Sequence, residues 1–397
     1  MTEQWLEVRR ELQQNRFRWG VEAAADYPAD RRVAGTPLLA ASTWIPAQPI
    51  PLASIRLEFE PDAEFDGVTG LEPTDTLPLR PDGSRYPSYA EAIADLASPA
   101  VFENRPTYRL LSADLTAAQP VLCLGRGTYF DSINTGEASA HEYAARRLGL
   151  RGSSPLRTAI GEPWDPTRRP TNLAISTLTI RHDKTTGDST FLIHWRDPAK
   201  VGHAGGLYQV VPSGVFQPSA DASWNERHDF SLWRNLTREL SEELLGTSED
   251  HGSDSAPINY ETWPFATELS AALTAGSARA YCVGLGVDPL TFATDLLTVL
   301  AIDADIFDTL FADLTTRNDE GRVLTPQPFT ADSINDFVHH KPLQAAGAAI
   351  LQLAWQYQLV ATRELGDWSR DVARLKADRR HSPICGFRSS PFLRERG

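Results

Sequence analysis

Cysteine is scarce in this chain: Cys123, Cys282 and Cys385 are the only three in 397 residues, and they lie far apart. Three such residues build neither a disulfide framework nor, by themselves, a closed zinc site. Cys123 and Cys282 sit in apolar runs and read as buried small hydrophobes. Long apolar runs are missing as well, the longest falling well short of the roughly 20 residues that cross a bilayer. The first residues, MTEQWLEVRRELQQNRFRW, mix charged and apolar side chains and lack the apolar core of a signal peptide. A cytoplasmic protein with no membrane partner is therefore expected. Positive charge is in deficit, with 38 Lys+Arg against 52 Asp+Glu and a net charge of -14. Neutralising a phosphate backbone takes a basic face, so nucleic acid is not expected as a partner. Neither a G-X-S-X-G elbow nor an H-E-X-X-H helix is present, which removes support for serine-hydrolase and zinc-protease chemistry.

What is present is a globular composition, 41% hydrophobic and 23% charged, in a chain long enough for one large or two ordinary domains. Helical spacing of Trp5, Leu6, Val8, Leu12 and Phe17 predicts a helix over 3–19. Eight prolines between Pro46 and Pro87 leave room only for short strands there, such as 55–59. Two extended runs within 108–130 precede a helix over about 136–148, with Asn134 or Thr135 as cap and Gly149 as terminator. Together these predict an N-terminal α/β domain over 1–150. The Pro-, Ser- and Gly-rich stretch 151–172 reads as a linker. Beyond it, NLAISTLTIRHD, the turn KTTGDS and TFLIHWRD predict a hairpin, and GLYQVVPSGVFQP a further strand. A helix over about 230–245, two β-rich runs in 279–303 and a helix within 341–361 complete a second domain over 173–360. The segment 361–397 reads as a basic tail, with nine Lys+Arg against five Asp+Glu from Arg363 onward. The expected fold class is α/β (α+β). No internal repeat is evident.

Chemistry concentrates in Arg238-Glu239-Leu240-Ser241-Glu242-Glu243. On a helix Glu239 lies one turn from Glu242 and Glu243, so three carboxylates share one face. Trp233, Leu236, Leu240 and Leu244 mark the opposite, core-facing stripe. Like charges at this spacing repel, and near the C-terminal end of a helix they also oppose its dipole. A divalent cation with a preference for oxygen ligands, Mg²⁺ or Mn²⁺, would remove that conflict.

This run resembles the box of the Nudix hydrolase family, GX5EX7REUXEEXGU with U a bulky aliphatic residue, and Arg238 to Glu243 match its REUXEE core without a gap. Upstream, Tyr208-Gln209-Val210-Val211-Pro212-Ser213-Gly214 is similar to the strand and turn that precede the box. The resemblance implies a mixed sheet between helices over about 170–360, leaving 1–150 outside it. It also implies Glu239, Glu242 and Glu243 as metal ligands, one of them a base for the attacking water, and Arg238 as the residue orienting the carboxylates. Gly214 would permit close backbone approach, and His194, Arg196 and Tyr208 would face the substrate, His194 and Arg196 from one side of a strand. The implied reaction is hydrolysis of a phosphoanhydride in a nucleoside diphosphate derivative or similar small-molecule diphosphate. Three features depart from the box, the first being Leu245 in the place of its second glycine, with Gly246 one position late. Ala220 stands where its first glutamate belongs, with Glu226 the candidate replacement, and Gly214 to Arg238 is ten residues longer than the pattern. The alternative function is accordingly a nucleotide-binding sensor on the same scaffold. Whether the chain forms a homodimer is left open.

Weaker signals have simpler readings. Gly125-Arg126-Gly127, which has the glycines of an anion cradle but neither a P-loop lysine nor a third fingerprint glycine, reads as a tight turn, and so does Gly284-Leu285-Gly286. His339-His340-Lys341, preceded by Asp332 and Asp336, reads as a polar surface feature. Lys200 and His203 are further candidates for a substrate pocket, and Trp368 and Phe387 for a partner contact.

Overall fold

The computed structural model describes residues 2–72, 74–99, 102–196, 206–248, 250–314, 321–323 and 325–359. Lys200, His203, Cys385, Trp368, Phe387 and the rest of the basic tail lie outside them. Thirteen strands are described: β1 (Ile50–Pro51), β2 (Arg56–Phe59), β3 (Pro106–Asp114), β4 (Val121–Thr128), β5 (Thr171–His182), β6 (Ser189–Phe191), β7 (Ile193–Arg196), β8 (Tyr208–Val210), β9 (Ser213–Val215), β10 (Ala278–Val287), β11 (Thr294–Asp303), β12 (Gly321–Val323) and β13 (Gln327–Pro328). Ten belong to one mixed sheet whose main order is β1-β10-β11-β5-β3-β4-β2, with β6 and β9 also paired to β5 and β13 to β6. A second sheet has the order β12-β7-β8. With its helices this is an α+β fold.

β5 and β11 run parallel at the centre, from Thr294↔Leu173 to Asp303↔His182. Every residue of β11 is buried, and its stretch LLTVLAI, apolar but for Thr298, suits a strand covered on both faces. The helix Ala345–Gln356, rich in alanine, packs on β5, β10 and β11. The expected hairpin forms around Asp183–Asp188, with Ile180 opposite Phe191. TFLIHWRD is divided between β6 and β7, and GLYQVVPSGVFQP between β8 and β9, so each run serves both sheets.

The N-terminal helix, Thr2–Ala23, is held by burial of its apolar stripe. Val8, Leu12 and Trp19 pack with Ala140, Tyr143, Ala144 and Leu290. The helix expected from about 136 begins earlier, at Tyr129. Thr128 and Asp131 form a capping box, the Thr128 N–H donating to Asp131 Oδ2 at 2.7 Å, so Asn134 and Thr135 are interior residues and not caps. Ile133–Glu137 is a π turn, after which the α-helix Ala138–Arg147 continues toward Gly149, whose positive φ of 71° ends it as expected.

The stretch 151–172 does not separate two sheets. It contains the helix Pro155–Ile160 and buries Arg157, Ile160 and Arg169. β3 pairs directly with β5 through Arg109↔Asn172 and Leu110↔Thr171. Residues 1–359 accordingly form one compact unit. The connection is partly buried, and in it guanidinium groups bond to carbonyl oxygens, Arg157 to Leu290 and Arg169 to Phe292. Gly125-Arg126-Gly127 is strand, not turn: it lies within β4, and Arg126 pairs with Glu226 at 2.6 Å. Gly284-Leu285-Gly286 lies in β10. His339 and His340 end the helix Ala331–His340 and are exposed.

Candidate functional site

The glutamate-bearing helix spans Leu232–Leu245. Ser231 caps it by accepting the Arg234 N–H, and Gly246 closes it in the left-handed conformation, with φ 70°. Leu236, Leu240 and Leu244 are buried in the core, which turns the opposite face toward β9. There Glu239 meets Gly214: a β-carbon on this residue would overlap the Glu239 carboxylate. Gly214 is placed by the pairing of β9 with β5, Ile175↔Gly214 and Ser176↔Ser213. The next turn of the helix brings in Glu243, whose Oε1 accepts the Ser213 N–H at 2.6 Å. Glu239, Glu242 and Glu243 all line a single cleft of about 840 Å³. Glu239 and Glu243 are buried, whereas Glu242 is half-buried. Carboxylates at helical spacing on one wall repel one another, which favours a positive occupant.

A polar network backs the wall. Ser176 Oγ donates to Asp295 Oδ1 at 2.7 Å, and Gln209 Nε2 donates to Ser176 Oγ at 3.1 Å and Ser213 Oγ at 2.8 Å. Gln209 is buried and lines the cleft, and its Oε1 has no hydrogen-bond partner. Its position follows from strand alternation, since Gln209 faces opposite to Tyr208 on β8.

The structure gathers most of the expected residues and redistributes the others. Arg196 and Gly214 line the cleft with the three glutamates. His194 lies behind Glu243, its Nδ1 3.4 Å from Glu243 Oε2, and is fully buried; it contacts a carboxylate and is not part of the cleft lining. Tyr208 is likewise not a lining residue: its ring packs edge-on against Phe337 with centroids 5.8 Å apart.

Arg238 is buried beneath the wall. It donates to Gln217 O at 2.7 Å, to Tyr260 Oη at 2.9 Å and to Asn235 Oδ1 at 3.3 Å, and pairs with Asp229 at 3.4 Å. Burial opposes its charge, but Tyr260 and Asp229 outweigh that effect and hold its pKa above the ordinary value. The acid that meets Arg238 is therefore Asp229. Glu226, proposed for the upstream acid, instead forms a two-pronged pair with Arg126, which lowers the Glu226 pKa.

Asp229, Gln209, Ser176 and Asp295 were not singled out from sequence. The available signal was a polar residue inside an apolar strand, as in Tyr208-Gln209-Val210-Val211 and Thr294-Asp295-Leu296-Leu297. Buried polar groups of that kind need partners. Among the described residues, no group of three or more His, Cys, Asp or Glu side chains is already arranged around a metal position. No helix among them is long and apolar enough to cross a membrane. No protein-family model matches the chain, and no curated protein matches it in sequence.

Proposed function

We propose that this chain is a metal-dependent hydrolase of Nudix type, which cleaves a phosphoanhydride bond in a nucleoside diphosphate derivative or similar metabolite. The observation that carries this reading is the convergence of Glu239, Glu242 and Glu243 on one cleft, with Gly214 at the point of closest approach. Donor chemistry supports Mg²⁺ or Mn²⁺ as cofactor: the wall offers carboxylate oxygens, and Gln209 adds a buried, unpartnered carbonyl oxygen. Glu239, Glu242 and Glu243 would hold the ion, which neutralises phosphate charge and acidifies water. Ser213 fixes one oxygen of Glu243, and Arg238 with Asp229 anchors the helix from below. Arg196 supplies positive charge for a phosphate oxygen. Of the glutamates, half-buried Glu242 is the one most open to receive a proton from attacking water.

The longer connection between Gly214 and Arg238 favours a second reading, a nucleotide-binding sensor that retains the ion site without turnover. One experiment separates the two. Mn²⁺ or Mg²⁺ should raise the melting temperature, Glu242→Gln and Glu243→Gln should abolish the rise, and a panel of nucleoside diphosphate compounds should yield monophosphate products. Binding without products selects the sensor. A metal response that persists unchanged in both variants removes the enzyme.

A further inference from the structure

A separate, smaller pocket of about 60 Å³ lies against the N-terminal helix. It opens where the contacts of that helix divide between two core clusters, Trp5 packing with Leu77 and Tyr89, and Val8 with Leu12 and Ala145. Trp5, Val8, Leu77, Ala145 and His141 contribute to its walls, with Arg151 among the polar lining residues. It shares no lining residue with the glutamate cleft, to whose wall the π turn Ile133–Glu137 and the turn Asp288–Ala293 contribute.

The wall of this pocket carries two N–H donors that the chain leaves unmet. His141 is only 6 % exposed, and its Nδ1 lies 3.1 Å from Tyr89 Oη. That phenol oxygen accepts from Arg9 Nη1 at 3.4 Å. Arginine can only donate, so the one O–H of Tyr89 is left to point at Nδ1, the acceptor within its reach. Burial and the positive charge of Arg9 keep the imidazole neutral, its pKa pushed down to about 3. The ring proton therefore sits on Nε2, which has no acceptor among the described residues. Trp5 stacks on the imidazole, with centroids 5.0 Å apart and planes at 26°, and its own indole N–H is buried without an acceptor. Buried polar groups normally find partners, so two orphaned donors on adjoining rings that line one pocket call for an acceptor from outside.

Charge and size narrow the choice. Arg151 adds a guanidinium, paired with Asp75 Oδ1 at 3.2 Å; the Asp75 side chain is 81 % exposed, so water screens the opposing carboxylate while Trp5 and His141 stay enclosed. At roughly 15 Å³ for each water, the space holds about four waters or a solute with as many heavy atoms. We infer that this pocket is a binding site for a small monocarboxylate of the size of acetate or propionate. Its oxygens accept from His141 Nε2 and Trp5 Nε1 beside Arg151, and its carbon chain lies against Val8, Leu77 and Ala145. Inorganic phosphate, with more oxygens to satisfy, would leave acceptors unmet against those same apolar side chains. Neither metal nor turnover enters this inference, which stands apart from the hydrolase reading.

The test is a propionate titration of the full, ¹⁵N-labelled chain at constant ionic strength, followed by NMR. Trp5→Phe and His141→Gln identify the indole N–H and imidazole Nε2 signals. Propionate should shift both signals saturably in the millimolar range, and chloride, inorganic phosphate and the uncharged isostere propionamide should not. Loss of one hydrogen bond to a charged group should weaken propionate about tenfold in Trp5→Phe, and loss of a rim charge about threefold in Arg151→Gln. Should Trp5→Phe fail to fold, Arg151→Gln, at a partly exposed position, carries the comparison. Signals that propionate leaves in place would mean that the pocket holds water alone, and equal shifts with chloride or phosphate would mean a general response to ions. Either result overturns the inference, as do equal binding of propionamide and an affinity unchanged in the variants.

Discussion

Gly214 and Glu239 are in contact through the one surface that a glycine alone exposes: the space of its missing β-carbon is filled by the Glu239 carboxylate. Gly214→Ala therefore forces that carboxylate to move. The obstructing atoms end a flexible side chain, so Glu239 can swing aside, and the loss of stability should stay near 1–2 kcal/mol, at the lower end of overpacking costs. The metal response should suffer more than the fold. Thermal denaturation with and without Mn²⁺ checks this: a variant that keeps the full wild-type shift would show that the contact has no part in ion binding.

Arg238 and Asp229 are both fully buried, and Asp229 also accepts the Ser219 N–H at 2.9 Å and the Ser219 hydroxyl at 2.6 Å. Removing one member of such a pair strands the other's charge, which typically costs about 3–5 kcal/mol. Arg238→Met should fall in that range by urea denaturation, whereas Arg238→Met with Asp229→Leu should recover part of the loss. A double variant as unstable as the sum of the singles would mean that the pair has no energetic coupling.

The helical face of glutamates and its leucine stripe were legible because each depends on local spacing, 3.6 residues per turn, whereas the close approach at Gly214, a contact with Glu239 on another element, was implied only by the resemblance. The β5 and β11 strands and their flanking turns were legible for the same reason. Asp229 was not, because it meets Arg238 only after the chain has looped between β9 and the helix, and Glu226 in the same loop is an equally plausible acid by composition. The stretch 151–172 misled for a related reason. Proline and glycine look alike in a solvated linker and in a connection packed on the fold, and what distinguishes the two here, Arg157 and Arg169 bonded to carbonyls more than 120 residues away, is a tertiary fact. His194 and Arg196 share a strand face as expected, yet only the sheet decides that the first ends under Glu243 while the second reaches the cleft.

His141 should govern acid stability above the range of ordinary carboxylates. Its imidazole is buried against Trp5, with ring centroids 5.0 Å apart, and its Nδ1 lies 3.1 Å from Tyr89 Oη. Desolvation, aided by the positive charge of Arg9, pushes its pKa down to about 3. A base whose folded pKa lies below its unfolded value binds more protons when unfolded, so stability falls as pH drops below about 6.5 and continues to fall toward 3. Between pH 6.5 and 4.5, few carboxylates titrate and the slope from this one group approaches about 1.4 kcal/mol per pH unit. His141→Gln keeps a polar partner for Tyr89 and cannot titrate. Its unfolding free energy should fall less steeply over that interval than that of the wild type, with His182, whose pKa burial also lowers, supplying part of the remaining slope, and a slope equal to wild type would assign the acid sensitivity to another group.

Phe292 reverses the usual ranking of alanine over glycine. Its φ of 57° lies where a β-carbon is strained, and its ring is what Arg157 and Arg169 pack upon. Phe292→Ala loses the ring and keeps the strain. Phe292→Gly loses the same ring and releases the strain, against a higher entropy cost for fixing glycine on folding of roughly 0.5–1 kcal/mol. Strain of this type amounts to about 1–3 kcal/mol, so it should win, leaving the glycine variant more stable than the alanine variant by on the order of 1 kcal/mol. Both should fall well below wild type, because cutting a buried phenylalanine to alanine typically costs about 3–5 kcal/mol. Urea denaturation of the two variants side by side settles the sign. If alanine proves the more stable, the turn is not held against its own backbone preference, and the wall it gives the cleft is relaxed and not imposed by the two arginines.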